Sequence, residues 1–196
     1  MAKLLWQGHG SFRLRASDGT VVYIDPYAGE GYSLPADGIL VTHQHHDHNK
    51  ISLPEKKPGC VIFQNFDALV GGKYNSITIG SVKVESFPAE NRNHKRSECV
   101  GYIVTADSKT IYFAGDTSKI PEMADLAARK LDYALLPCDG IFNMGLDEAV
   151  ECAGMIGAVN TIPCHMSPGK LWSERKARKF QVPGALIIAP GDEIEL

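Results

Sequence analysis

The stretch "ILVTHQHHDH" at residues 39–48 constrains the fold more than any other part of this 196-residue chain. Its apolar start predicts a buried strand, because a short run of aliphatic and β-branched residues favours extended backbone. The residues that follow carry metal-competent side chains at His43, His45, Asp47 and His48. In extended backbone, His43 and His45 share one side, and Asp47 and His48 follow as the chain turns. Four such side chains within six positions serve no packing purpose, so the stretch predicts a metal site suited to two neighbouring cations.

Further candidate ligands each follow a predicted strand: His94, Asp116 and His165. A sheet scaffold places functional side chains at its strand ends, so these three are expected to join the cluster. Imidazole and carboxylate together suit zinc, and also iron or manganese. His46 lies between candidate ligands and is expected to point away from them into solvent. His9, in "GHGSF", is either a residue that lines the site or a structural one.

Most of the first two thirds of the chain reads as strands and tight turns. "SFRLRASDGTVVYIDPY" predicts a hairpin that turns at Asp18-Gly19, and "SITIGSVKVESFP" predicts another that turns at Gly80-Ser81. Residues 59–65, "VGYIVTA" and "TIYFAGD" continue the strand pattern. The first hairpin and "YIVTADSKTIYFAGDT" both end on an aspartate, Asp25 and Asp116, which reflects either chance or a fold of two related halves.

Helices are expected at residues 120–132, 146–158 and 173–180, where apolar residues recur at helical spacing or a short basic run follows Ser173 as a candidate N-cap. Buried strands such as "YALLPCD" and "NTIPCH" follow the first two helices, and "ALIIAP" is expected to form a strand after the third. This alternation favours an α/β (α+β) fold with helices outside sheets. No linker or low-complexity tract divides the chain, so a single domain over 1–196 is expected.

The composition of the chain limits the kinds of partner that we expect it to bind. A net charge of −3 gives no basic footprint for nucleic acid. The first fourteen residues hold only three consecutive apolar ones, too few for a signal-peptide core, and no stretch approaches the ~20 needed to cross a membrane. We therefore expect a cytoplasmic protein with no membrane partner. The five cysteines are odd in number and widely spread, which predicts free thiols.

The ordered motifs resemble the metallo-β-lactamase fold superfamily. HxHxDH, a later histidine, the aspartate of "FAGDTS" and the histidine of "IPCHM" carry the resemblance. The phrases "YIDPY", "FPAEN", "IYFAGDTSKIPEM" and "LLPCDGIFNM" are similar to the small metal-dependent hydrolases of the ascorbate-6-phosphate lactonase-like branch. The similarity runs from about Leu5 to His165 and implies a four-layer αββα sandwich with the site at one edge between two sheets.

The resemblance also implies a ligand assignment for two divalent metal ions, with zinc expected and manganese or iron as alternatives. His43, His45 and His94 would hold the first ion. Asp47, His48 and His165 would hold the second, and Asp116 would bridge both. Three departures bear on the surroundings: Asn49-Lys50 replace a frequent Gly-Gly, Glu90 stands where relatives often carry an aromatic residue, and the chain lacks room for added lid domains. The candidate substrate contacts are His9, Glu90 and Asn143.

Two such ions would lower the pKa of a shared water and yield hydroxide near neutral pH, which attacks a carbonyl or phosphoryl centre. Asp47 is the candidate catalytic residue, orienting the nucleophile and passing a proton to the leaving group. Thr42 or Thr117 could support the ligands from a neighbouring position. The expected substrate is a small, anionic ester, lactone or phosphate ester.

Other functions stay open at this point. An RNA- or DNA-processing phosphodiesterase would need a basic groove, and the only basic cluster is residues 173–179 with Lys170, which reads as a solvated helix face. Di-iron redox relatives usually carry a glutamate where this chain has His45, together with a flavin domain. A non-catalytic metal-binding sensor is disfavoured because no ligand position is lost.

Overall fold

Two six-stranded mixed sheets form the body of the protein, which a computed structural model describes over all 196 residues. The first sheet has the order β14-β1-β2-β3-β4-β5. Its strands are β1 (Lys3–Gly8), β2 (Ser11–Arg15), β3 (Val21–Ile24), β4 (Ala36–Val41), β5 (Lys56–Gln64) and β14 (Glu193–Glu195). A separate two-stranded ribbon joins β6 (Leu69–Val70) and β7 (Lys73–Tyr74).

The second sheet has the order β13-β12-β11-β10-β9-β8. Its strands are β8 (Ser76–Ile79), β9 (Val82–Pro88), β10 (Val100–Ala106), β11 (Lys109–Phe113), β12 (Tyr133–Pro137) and β13 (Asn160–Cys164). The two sheets pack face to face, since Phe12 of β2 meets Phe113 of β11 edge to face with ring centroids 5.8 Å apart. The hydroxyl of Tyr102 on β10 reaches across and donates to the carbonyl of Val41 at 2.9 Å.

The two sheets share one internal topology. In the first, β1 to β3 are antiparallel neighbours and β3 to β5 are parallel neighbours. In the second, β9 to β11 are antiparallel and β11 to β13 are parallel. Asp25 follows β3 and Asp116 follows β11, so the repeated hairpins in the sequence occupy equivalent places. This correspondence favours the two-halved fold over chance similarity.

Helices occupy the connections between strands. A 3₁₀ helix spans Pro121–Arg129, and α2 spans Leu146–Ile156 and packs against both this helix and β12. The first sheet's outer face carries a separate small apolar cluster around Tyr23 and Ile39, covered by the loop residues Tyr32 and Leu34. The predicted αββα sandwich is confirmed, with loops doing much of the covering on one side. No helix is long and apolar enough to cross a membrane.

The structure agrees with some of the predicted turns, helices and strands and differs from others. Both hairpins are confirmed with their turns. The helix expected at 120–132 has 3₁₀ geometry and ends at Lys130, whose φ is 51°. The third helix, α3, is a single turn at Glu174–Ala177, and α1 (Asn65–Ala68) was not expected. The prediction of a strand at "ALIIAP" is wrong: only Ala185 forms an isolated bridge, with Thr161.

Candidate metal centre

All seven candidate ligands meet where strands of both sheets end. Four of them, His43, His45, Asp47 and His48, lie in the loop that follows β4. His94 comes from the connection between β9 and β10, Asp116 follows β11, and His165 follows β13. Each is therefore carried on a loop whose start is fixed by a buried strand, which limits how far the side chains can move apart.

Asp116 divides the candidate ligands into two groups. Its Oδ2 lies 4.0 Å from His43 Nε2 and 3.5 Å from His94 Nε2. Its Oδ1 lies 3.4 Å from His48 Nε2 and 3.4 Å from His165 Nε2. His45 joins the first group, with Nδ1 3.0 Å from His94 Nε2. Asp47 joins the second, with Oδ2 3.9 Å from His165 Nε2. The structure thus brings the residues together in the grouping that the resemblance implies, and their role as ligands stays a prediction.

Several buried atoms at this point have no hydrogen-bond partner: His43 Nε2, His48 Nε2, His165 Nε2 and Asp116 Oδ1. A buried polar group left unpaired costs about 1–3 kcal/mol, so four of them at one place call for a common partner. Their nitrogen and carboxylate chemistry is that of a divalent-cation site. The residues present therefore fit the metal ions that the fold implies.

The far nitrogen of each of four histidines is held by a neighbouring polar group. His43 Nδ1 lies 3.0 Å from Thr42 Oγ1, and His48 Nδ1 lies 2.8 Å from Asp25 Oδ2. His94 Nδ1 lies 2.9 Å from Asn91 Oδ1, and His165 Nδ1 lies 3.1 Å from Asp139 Oδ2. These contacts orient the rings so that Nε2 points into the cluster, as metal-binding histidines require. Of the two threonines suggested by adjacency, Thr42 has this role, whereas Thr117 bonds the backbone of Glu90 and Ser118.

Sequence reasoning missed Asp25, Asn91 and Asp139 as supports of the histidines. Asp25 accepts hydrogen bonds from the backbone N–H and the hydroxyl of Thr42, both at 2.7 Å. Asp139 accepts from the backbone N–H groups of Ile141 and Phe142. Burial alone would raise the pKa of Asp139, but His165 and these N–H groups hold it at about 2. A signal was present, because Asp25 directly follows the buried strand β3 and Asp139 lies two residues after the buried strand β12.

The electrostatics differ between the candidate ligands. Burial works to raise the pKa of Asp116, but the surrounding imidazoles, His165 first, hold that pKa well below its usual range. Burial and the neighbouring His48 hold the pKa of His43 well below its usual value. Burial works to lower the pKa of His48, yet the charges of Asp116 and Asp25 raise it to about 9. Near neutral pH Asp116 is therefore a carboxylate and His43 is neutral, whereas His48 carries a proton that it would have to release to bind a cation.

The candidate substrate contacts occupy three different settings. His9 is buried beside the second group, with Nε2 3.1 Å from Asp47 Oδ2 and its ring centroid 3.6 Å from that of His165. Asn143 donates to Asp139 Oδ2 at 2.8 Å and accepts from Asn91, so it links two of the supports. Glu90 pairs with Arg96 at 2.7 Å and does not line the cleft above the cluster.

Of the remaining residues of the histidine loop, His46 faces solvent and the Asn49-Lys50 pair makes contacts that stabilise the loop. His46 has 84% of its side chain exposed, consistent with the expectation that it points into solvent. Asn49 Nδ2 donates to the backbone and side-chain oxygens of Gln44 at 3.3 Å each. Lys50 Nζ lies 4.6 Å from the centroid of the Tyr27 ring. Within the Asn49-Lys50 departure, Asn49 therefore links two parts of the same loop and Lys50 packs the loop against Tyr27.

Replacing His9 with alanine is expected to weaken the second group as a metal site. The His9 contact fixes one oxygen of Asp47, and together with the charge of His48 it outweighs burial and lowers the pKa of Asp47. Loss of such a partner reduces metal affinity by about 10–100-fold. Competition titration with a chromophoric chelator measures the change. His46→Ala is the matched control, and equal affinities for the two variants would contradict this role of His9.

The fold and the cluster together define a class: two facing mixed sheets with a histidine–aspartate centre at their strand ends are the architecture of metallo-β-lactamase-type hydrolases. Similarity to known proteins narrows this class. The family profile described as the beta-lactamase superfamily domain matches residues 3–165. The chain is 32% identical to a metal-dependent hydrolase of Methanoculleus marisnigri over 185 residues, covering 83% of this chain and 80% of that protein.

A metal-dependent hydrolase of Thermococcus kodakarensis is 29% identical, with both chains fully covered. A solved metallo hydrolase of Ignicoccus hospitalis superposes with a TM-score of 0.77 over 98% of this chain and 97% of that one, at 21% identity. That last likeness shows the fold alone. The chain belongs to the metallo-β-lactamase superfamily, among its metal-dependent hydrolases.

Proposed function

We propose that the protein is a hydrolase with a dinuclear metal centre that cleaves a small ester, lactone or phosphate ester. The observation that carries the proposal is the division of donors about Asp116, with one carboxylate oxygen facing each group. His43, His45 and His94 would hold one ion, and Asp47, His48 and His165 the other, with Asp116 between them. The nitrogen-rich donor set favours zinc over manganese or iron.

Two divalent ions, if held by these residues, would supply an acidified water and an electrophile for the substrate oxygen. The chain supplies the proton path. Asp47 has 23% of its side chain exposed, whereas Asp116 has 5%, so Asp47 is the carboxylate that a substrate can reach. One Asp47 oxygen is fixed by His9, which leaves the other to orient the attacking water and to carry its proton toward the leaving group.

A phosphodiesterase acting on nucleic acid receives less support. In the basic run, Arg178 pairs with Glu174, and Lys176 Nζ donates to the carbonyls of Asp139 and Met166 at 2.9 and 2.6 Å. These partners occupy charges that a phosphate backbone would need. A non-catalytic sensor would bind two ions per chain without turning over any substrate.

Metal removal tests the proposal. Hydrolysis of carboxylic esters, lactones and phosphodiesters is expected to fall to the buffer rate after exhaustive chelation and to return on adding back Zn²⁺, Mn²⁺ or Fe²⁺. Elemental analysis of the same samples reports how many ions each chain holds. Full activity in protein shown to be free of metal would contradict the proposal.

A further inference from the structure

A cleft of about 360 Å³ opens over the candidate ligands and bears on what the protein cleaves. Candidate ligands from both groups line it, among them His45, His94, Asp47 and His165. Phe142 is the one hydrophobic residue among those that line it, and no lysine or arginine is among them. A substrate bound here meets the metal centre on its floor and a single apolar wall.

Phe142 and its neighbour Ile141 are exposed, and hydrogen bonds hold their backbone on both sides. Ile141 and Phe142 keep 50% and 47% of their surface exposed, although large apolar side chains usually bury more. Their backbone N–H groups donate to the Asp139 carboxylate at 2.6 and 2.7 Å. Their carbonyls accept from Arg92 at 2.8 Å and from Asn93 at 2.9 Å. An apolar pair fixed from both sides loses little conformational freedom when a ligand covers it.

The other side of the centre is polar. A pocket of about 200 Å³ beside the first group is lined by no hydrophobic residue, and Gln44, Asn65, Asn93 and Glu98 contribute to it. An alkyl or aryl group gains nothing by entering such a pocket, because it would strip water from amides and a carboxylate. The apolar part of a substrate is therefore directed to Phe142, and a polar alcohol part to this pocket.

Phosphate groups find little to hold them beyond the metal centre. The cations close in sequence to the cleft residues have other partners: Lys50 lies over the Tyr27 ring, Arg92 donates to the Ile141 carbonyl, Lys95 pairs with Glu98 at 3.4 Å, and Arg96 pairs with Glu90 and Glu122. None of the four lines the cleft. Glu98 lines the polar pocket and shares its charge with Lys95. This charge distribution disfavours the anionic substrate expected from the sequence.

We propose that the substrate is a carboxylic ester or lactone whose uncharged, apolar acyl group packs on Phe142, at the side of the cleft where Ile141 precedes it in the chain. This rests on the proposed hydrolase function and narrows its substrate class. Water oxygen adds to the acyl carbon, the acyl carbon–oxygen bond breaks with its electron pair passing to the alcohol oxygen, and the proton released by the water ends on that alcohol. The products are a carboxylic acid and an alcohol, and no oxidant or second substrate is needed.

A chain-length series tests the assignment on the metal-loaded protein. Across the glycerol monoesters of acetic, butyric and hexanoic acid, followed by acid release, kcat/KM is expected to rise about three-fold per added methylene, since each methylene leaves water as it covers the apolar wall. Phe142→Ala is expected to flatten this rise by raising KM for the hexanoate ester more than KM for the acetate ester. Phe142→Leu is expected to restore part of the rise. Val70→Ala, which truncates an exposed apolar side chain elsewhere, is the control.

A binding measurement separates recognition from turnover. Hexanoate is expected to bind the wild type more tightly than acetate by calorimetry, and Phe142→Ala is expected to remove the difference. A rate independent of chain length, an unchanged slope in Phe142→Ala, or faster cleavage of bis(4-nitrophenyl) phosphate than of every ester would overturn the assignment. An unchanged slope with an altered mass by light scattering would assign this wall to subunit contact. Absence of chelator-sensitive hydrolysis on all substrates would overturn the proposed function itself.

Discussion

Replacing Asp116 with alanine is expected to abolish hydrolysis and to leave fewer than two metal ions on each chain. Asp116 is the only candidate ligand that faces both groups, with Oδ2 toward His43 and His94 and Oδ1 toward His48 and His165. Removing it takes away the negative charge that four buried imidazoles share. Loss of a supporting partner already lowers metal affinity about 10–100-fold, so loss of a bridging ligand is expected to exceed that range.

The measurement is metal content by elemental analysis together with the rate on the best ester. Asp116→Asn is the sharper variant, because it keeps the shape and removes the charge. Asp107→Ala serves as the matched control. That carboxylate lies in the turn between β10 and β11, and it accepts hydrogen bonds from Ser17 and not from a candidate ligand. Two tightly bound ions and an unchanged rate in Asp116→Asn would show that the carboxylate is not the bridge.

The sequence predicted which side chains meet at the strand ends because each of them is local to such an end, and their role as ligands stays a prediction. An apolar run that stops at Thr42, Phe113 or Cys164 marks the edge of a sheet, and the polar residues after it lie at that edge. The supports of the histidines were harder to find. Asp25 and His48 are 23 positions apart, and their contact exists only because β3 and β4 are parallel neighbours. Strand order is set by packing over the whole sheet, which periodicity along the chain does not show.

The errors in the fold have a related cause. The apolar run at "ALIIAP" has strand composition, yet Ile187 is 38% exposed and only Ala185 bridges Thr161, beside β13. Because that contact is a single bridge, the run forms a loop instead of a seventh strand of the second sheet. In the opposite direction, β14 is only three residues long and is held by pairing with β1, so its own sequence carries little signal. Tertiary pairing decided both cases over local propensity.

Replacing Trp6 with alanine is expected to lower the free energy of unfolding by about 4 kcal/mol and the melting temperature by roughly 10 °C. Trp6 is fully buried on β1 and stacks on Phe12, with ring centroids 6.1 Å apart. Its removal leaves a large cavity in the core that joins the two sheets. Denaturant titration and thermal unfolding of the metal-free protein measure the loss, and a change below about 1 kcal/mol would contradict this role of Trp6.

Trp6 also connects the core to the second group of ligands, and a milder variant separates the two roles. Its indole Nε1 donates to the His9 carbonyl at 3.1 Å, and the same carbonyl accepts from the backbone N–H of His165 at 3.0 Å. His9 has a φ of 56°, a conformation that non-glycine residues hold only when neighbours fix it.

Trp6→Phe keeps most of the buried ring but loses the indole Nε1 donor. The Trp6→Phe change is expected to lower the free energy of unfolding by about 1 kcal/mol. It is also expected to weaken metal binding beside Asp47, because the turn at His9, which positions His165, loses its hydrogen bond from Trp6. Chelator competition on Trp6→Phe, with Phe12→Leu as a control of similar packing loss, measures this coupling. Equal metal affinities in the two variants would show that the core and the centre are independent.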